Sequence, residues 1–275
     1  MKQLLLLLLG LPMVGFGQQT LNQSIIHDNL QRDYIIHIPG SYDSNSPIPL
    51  VLCFHGYGGT ASGISYSNFN YISDTANFIV VYPQGTLLQG TTHWNVGGWT
   101  LGSNTDDVGF ISSLLDSVSD QYNIDQTRVY STGMSNGGYM SFLLACQLSD
   151  KIAAIASVTG SMTPQTYNLC NSQHPMPILQ IHGTNDQVVP YIGDPTWTES
   201  INNVLQYWVG YNNCNLIADT TIIPDLVLGD WSTAEHIVFN GGDNSVTTEH
   251  FKIYGGDHDW PGVWGNMDIH ASNEV

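Results

Sequence analysis

RVYSTGMSNGGYM, residues 128–140, reads as a strand that turns sharply into a helix. Val129 and Tyr130 give the approach its β-branched and aromatic character, and the apolar run from Tyr139 to Ala145 continues as helix. Between them lies Gly133-Met134-Ser135-Asn136-Gly137, a G-x-S-x-G pattern. A serine at the apex of such a turn has strained backbone angles, and bulky neighbours would clash there. Gly133 and Gly137 remove those side chains, and Gly138 adds room. The helix that follows aims free N–H groups and the positive end of its dipole at the serine. Those surroundings suit a nucleophile whose attack creates an oxyanion. A Gly-Ser turn without chemistry can carry the same pattern, so partners elsewhere in the chain decide between the two.

A serine hydroxyl is a weak nucleophile near neutral pH and needs a base, which in turn needs an orienting acid. In open α/β sheets the working residues gather beyond the carboxyl ends of the strands. Asp186 meets that condition in ILQIHGTNDQVVPY, 178–191, past a strand end at His182. His258 meets it in FKIYGGDHDWPG, 251–262, behind Gly255-Gly256. Asp194 is the rival acid, further out in the same loop as Asp186. His250 and His236 fall within strand-like runs, while His55 and His182 precede glycines at strand ends and read as structural hydrogen bonders. His93 and His270 read as surface residues. The chain order Ser135, Asp186, His258 is that of α/β-hydrolases. The oxyanion donors expected are the backbone N–H of Asn136 and that of Tyr57, in the loop His55-Gly56-Tyr57-Gly58-Gly59.

The rest of the chain fits a mostly parallel, doubly wound α/β sheet with an N-terminal antiparallel hairpin. Two alternating runs within 20–38 flank a turn at Asp28-Asn29. PIPLVLCF, 47–54, is apolar on both faces, as a central parallel strand should be. A helix is expected near Tyr71 to Ala76, a strand from Phe78 to Tyr82, and a long loop over 85–105. A helix should start near Asp106-Asp107, whose acids can cap it, and run to about Gln121. Further strands are expected at 152–158 and 177–182, a helix from Trp197 to Tyr211, and three strands within 216–254.

The chain opens with Lys2, a leucine-rich run to about Phe16, and Gly15 and Gly17 before Gln18. This predicts a secretory signal over residues 1–17, followed by one catalytic domain over 18–275 in the extracellular or periplasmic space. No later run is apolar and long enough to span a bilayer. Five Lys and Arg stand against 23 Asp and Glu, for a formal charge of −18. Such a surface repels nucleic acid and anionic membranes. Export permits disulfides. The polar settings of Cys170 and Cys214 favour a bridge between them, and the apolar settings of Cys53 and Cys146 suggest free thiols, with the connectivity itself left open. No Cys/His cluster has zinc-ligand spacing, and no metal or organic cofactor is expected.

From about residue 33 to 275 the chain resembles a group of secreted α/β-hydrolases: feruloyl esterases, acetyl xylan esterases and polyhydroxybutyrate depolymerase-like proteins. The resemblance is carried by FHGYGG (54–59), VVYPQG (80–85), DDVGFI (106–111), STGMSNGGYM, QIHGTNDQVVPY and GGDHDWPG. It implies Ser135 as nucleophile, Asp186 as acid and His258 as base. It also implies a further aromatic-rich final helix, which the sequence ending at Val275 would lack. The implied activity is ester hydrolysis through an acyl-enzyme, on feruloyl or acetyl esters of plant polysaccharide. A polyhydroxyalkanoate polyester is the second candidate substrate. A peptidase is less in keeping, since no access-controlling domain is seen. A non-catalytic carbohydrate-binding protein on the same fold is the alternative of another class. Trp94, Trp99 and Trp260 lie in or near loops that could rim the site and stack on sugar rings or phenolic acids.

Overall fold

A computed structural model describes residues 17–275; the expected signal, up to Phe16, lies outside the described residues. The strands are β1 (Gln19–His27), β2 (Leu30–Ile38), β3 (Ile48–Phe54), β4 (Ile79–Pro83), β5 (Thr86–Leu88), β6 (Thr91–His93), β7 (Ile124–Met134), β8 (Ala154–Val158), β9 (Ile178–Gly183), β10 (Asp219–Ile222), β11 (Thr233–Phe239) and β12 (Thr248–Tyr254). The helices are α1 (Phe69–Ala76), α2 (Asp107–Gln121), α3 (Asn136–Gln147), α4 (Pro164–Leu169), α5 (Ile201–Tyr211) and α6 (Ala271–Glu274). Ten strands form one sheet in the order β1-β2-β4-β3-β7-β8-β9-β12-β11-β10. The run from β4 to β12 is parallel, and the outer strands at both ends are antiparallel.

The expected N-terminal hairpin is β1–β2. Asp28 (φ 50°) and Asn29 (φ 61°) form its turn, both in the left-handed region that short polar side chains tolerate and a two-residue hairpin requires. In β3 alternate residues face opposite layers. Leu50, Leu52 and Phe54 join the core beneath α2, α3 and α5, while Val51 and Cys53 join the core beneath α1 and α6. Burial on both faces explains why this strand is apolar throughout. Helix α3 is buried from Asn136 to Cys146, so the helix behind Ser135 runs through the middle of the molecule. Asp106 caps α2 by accepting from Gly109 N, as its acids suggested. Its neighbour Asp107 forms a buried ion pair with Arg32 at 2.6 Å, and the Arg32 guanidinium lies 3.8 Å above the Phe110 ring.

Three expectations need revision. The stretch 85–105 is not a plain loop: it contains the β5–β6 hairpin and a short 3-10 turn at Gly98–Thr100. Helix α4 went unforeseen, although Thr163 caps it and Pro164 opens it. Helix α5 starts at Ile201 behind the Ser200 cap rather than at Trp197, because Asp194 to Thr198 folds into its own bridged turn.

The disulfide also differs. Cys146 bonds to Cys170, with Cα atoms 4.7 Å apart, while Cys53 and Cys214 are free and buried. Apolar context marked Cys146 as buried, correctly, but burial on α3 also sets it against the end of α4. Cys214 instead packs its sulfur against Val246 O and Thr248 Oγ1. The bridge ties helix α3, behind Ser135, to α4 across a separation of 24 residues. Loop entropy gives such a closure about 3 kcal/mol. The double variant Cys146→Ala/Cys170→Ala should therefore lose about 3 kcal/mol in urea unfolding, with turnover per folded molecule unchanged.

Candidate active site

Ser135 stands between the last residue of β7 and the first of α3, at φ 56° and ψ −120°. A non-glycine residue holds that conformation only where its surroundings over-determine it. Ser135 N donates to Val158 O at 2.8 Å, and Tyr139 N donates back to Ser135 O at 3.0 Å. The glycines allow the close approach. A Cβ on Gly133 would lie 2.6 Å from Gly137 C and 2.7 Å from Phe54 O, and one on Gly137 would collide with the Phe54 carbonyl. A Cβ on Gly138 would lie 2.5 Å from Ser157 Oγ. Strand β3 and helix α3 thus touch backbone to backbone beneath the serine.

The loop after β3 folds over the same point. A Cβ on Gly56 would sit 3.4 Å from Ser135 Cβ and 3.9 Å from its Oγ. Gly58 N donates to Thr92 O and Gly59 N to Gly56 O. Among the described residues the N–H groups of Tyr57 and Asn136 have no acceptor, and both flank Ser135. Two unpaired backbone donors beside one hydroxyl are the elements of an oxyanion hole.

Asp186 and His258, 72 residues apart, meet at the carboxyl ends of β9 and β12: His258 Nδ1–H donates to Asp186 Oδ2 at 2.8 Å. The Asp186 side chain is fully buried. Its Oδ1 accepts from Val188 N and Val189 N, each at 2.8 Å. His182 adds a second imidazole, with Nε2 3.3 Å from Oδ2. Burial alone would raise the Asp186 pKa. Hydrogen bonds from His182 and His258 outweigh it and hold the carboxyl well below the usual carboxylate range. The acid is therefore a carboxylate at any working pH. Ser135 occupies the same rim on β7, and its Oγ makes no hydrogen bond to His258. Catalytic contacts often close only around substrate.

The rival Asp194 accepts from Thr196 N and Oγ1 within its own turn. Trp94 and Trp260 are fully buried and are not rim residues. Trp94 packs edge-on against Phe54, and Trp260 donates from Nε1 to Ser272 Oγ. Each sits where its loop crosses the core, and loop position alone does not distinguish an anchor from a rim residue. Trp99 is half-buried between Tyr57, in the loop after β3, and Tyr139, one turn into α3, with ring centroids 5.7 and 5.9 Å away. His93 is buried, against expectation, because Nδ1 pairs with Thr86 O across the β5–β6 hairpin. The contact of His182 with Asp186 was missed; their i, i+4 spacing across a strand end was its signal. Among the described residues one potential metal-ligand grouping, His27, Asp28 and Asp106, lies at the hairpin turn and the α2 cap, four strands along the sheet from β7.

His55 and His250 stay neutral in the fold. Burial pulls His55 from 6.5 to about 4, against a weaker opposing hydrogen bond to Gly56 O. Burial likewise takes His250 from 6.5 to about 3. The unfolded chain takes up these protons near 6.5, and the folded one does so only near the lowered values. Stability is thus complete above 6.5 and declines as pH falls toward 4 and then 3. Thermal melts should show that decline. His250→Asn, which keeps a donor toward Gln180 O without a titrating ring, should flatten it.

The chain is similar in sequence and in fold to known esterases. A Phospholipase/Carboxylesterase family model matches residues 105–214. Feruloyl esterase D of Neurospora crassa is 30% identical over 210 residues, covering 68% of each chain. The bifunctional acetylxylan esterase/xylanase XynS20E of Neocallimastix patriciarum is 29% identical over 247 residues. That match covers 87% of this chain but 33% of the relative, so this chain spans about a third of its length. In structure, an acetyl xylan esterase from Aspergillus awamori superposes with a TM-score of 0.66 at 17% identity, over 92% of this chain and 97% of the other.

Proposed function

This chain belongs to the α/β-hydrolase family of feruloyl and acetylxylan esterases, and on that premise we propose that Ser135, His258 and Asp186 act as its catalytic triad on esters of plant polysaccharide. The observation that carries the reading is the His258–Asp186 hydrogen bond at the rim where Ser135 is held in a strained turn. Asp186 fixes the proton on His258 Nδ1 and leaves Nε2 free to accept one. Nε2 takes the Ser135 proton as Oγ attacks the ester carbonyl. The Tyr57 and Asn136 N–H groups receive the oxyanion. His258 then protonates the departing sugar alcohol, and water hydrolyses the acyl-enzyme by the same route.

Tyr57, 48% exposed, packs edge to face with Trp99 next to Gly56, the residue that approaches Ser135, and so offers aromatic surface beside it. A planar hydroxycinnamoyl group can lie against such a wall, whereas an acetyl group has no ring to place there. Feruloyl esters are therefore the favoured substrate and acetyl esters the second. The Cys146–Cys170 bridge supports an oxidising, exported setting for the domain at 18–275. The deciding comparison is release of ferulate from feruloylated arabinoxylan, acetate from acetylxylan and hydroxybutyrate from its polymer film, with Ser135→Ala as blank. Ferulate release above the blank is expected. Hydroxybutyrate alone would move the assignment to a polyester depolymerase, and no ester turnover at all would leave a carbohydrate-binding protein.

A further inference from the structure

We propose that Trp94 is a positioning residue that ties the two halves of the oxyanion hole together, so that the Tyr57 and Asn136 N–H groups converge on one oxygen. The proposal rests on Ser135 being the nucleophile. The two donors come from the ends of different strands, β3 and β7, and neither local backbone sets the distance between them.

Trp94 reaches both. Its backbone N–H donates to Asn136 Oδ1 at 2.7 Å, and its carbonyl accepts from Asn136 Nδ2 at 3.1 Å. The Asn136 side chain is thus held as one strand holds another, on both its donor and its acceptor side. At its other end the Trp94 indole Nε1–H donates to His55 O at 3.0 Å, on the residue that opens the Gly56-Tyr57 loop. Just upstream, Thr92 O accepts from Gly58 N at 2.8 Å and Thr92 Oγ1 donates to Gly59 O at 2.6 Å. The segment 92–94 therefore grips the loop on both sides of Tyr57 while its N–H stays free. His55 adds rigidity: Gly85 N donates to its Nε2 at 3.0 Å, and its Nδ1–H donates to Gly56 O at 2.8 Å. Trp94 and Asn136 are 0% and 1% exposed, so water does not compete for these bonds. A wall residue for substrate would be exposed and would leave its indole N–H toward the cleft. Trp94 does neither.

Trp94→Phe keeps an aromatic edge against Phe54 and removes the indole donor, together with part of the buried ring volume, whose cost falls on stability. Asn136→Leu keeps the approximate side-chain shape, adds no charge beside the oxyanion and removes both bonds to Trp94, and it serves as the readout from the other end should Trp94→Phe fail to fold. A misplaced donor should lower kcat for an ordinary ester by about 10–100-fold, with KM within about 2-fold. A matched thionoester develops its charge on sulfur, a poor acceptor, and should be far less affected, so the ester-to-thionoester rate ratio should fall. The double variant should be no slower than the worse single one, because both break the same connection. Equal losses on both esters, loss of thermal stability with kcat intact, or additive losses would each overturn the proposal. If wild-type turnover does not depend on Ser135, the nucleophile assignment fails instead, and Ser135→Ala reports that separately.

Discussion

Ser135→Ala should lower kcat/KM for p-nitrophenyl acetate by at least about 10⁴-fold and leave the fold intact. The change removes one oxygen that makes no hydrogen bond in the resting structure, so no partner is orphaned. The free N–H groups of Tyr57 and Asn136 remain, and any residual rate above that in water reports their contribution. The backbone offers a second, independent reading. At φ 56° both Ser and Ala are strained, whereas Gly is not. Glycine in the interior of a helix or strand costs about 0.5–1 kcal/mol relative to Ala, whereas at an N-cap such as Ser135 it is favoured over Ala. Here Ser135→Gly should be no less stable than Ser135→Ala in urea unfolding, while being equally inactive. A Gly variant clearly less stable than the Ala variant would contradict both the positive φ and the N-cap position of this residue. Turnover by Ser135→Ala equal to wild type would remove the nucleophile assignment.

What could be read from the sequence was what neighbours in the chain determine. The Asp28-Asn29 turn, the Asp106 cap and the glycines around Ser135 each answer a local steric or hydrogen-bonding demand, and each is found as expected. The parallel strands β3 and β4 declared themselves because two-sided burial makes them apolar throughout. Features set by distant segments were harder. Cys146 looked like a packed thiol because helix α3 is apolar, and only the placement of α4 gives it a partner. Trp94 and Trp260 belong to loops by sequence, yet their indoles enter the core. The strands β5 and β6 have three residues each, too few for alternation to register. The His182–Asp186 contact needs the Gly183–Asp186 turn to fold back on the strand end, which spacing suggests but does not fix.

Asp186→Asn should lower kcat by about 10⁴-fold, because every neighbour of this carboxylate is a donor. Oδ1 accepts from the backbone N–H groups of Val188 and Val189, and Oδ2 accepts from His258 and faces His182. An asparagine has one acceptor atom for these two places. If its oxygen faced His258, its NH₂ would meet two backbone donors in a buried site, at a cost of about 1–3 kcal/mol for each unpaired group. The lower-energy arrangement gives the oxygen to Val188 and Val189 and turns the NH₂ toward His258. Nδ1 must then accept, and the imidazole proton moves to Nε2. In that tautomer Nε2 cannot take the Ser135 proton, so the loss should appear in kcat with KM little changed. The variant should also become less stable, since the charge-assisted bonds from His182 and His258 disappear together. Asp194→Asn is the control, because that carboxylate serves only its own turn. If the two substitutions cost the same in kcat, the acid of the triad is not Asp186.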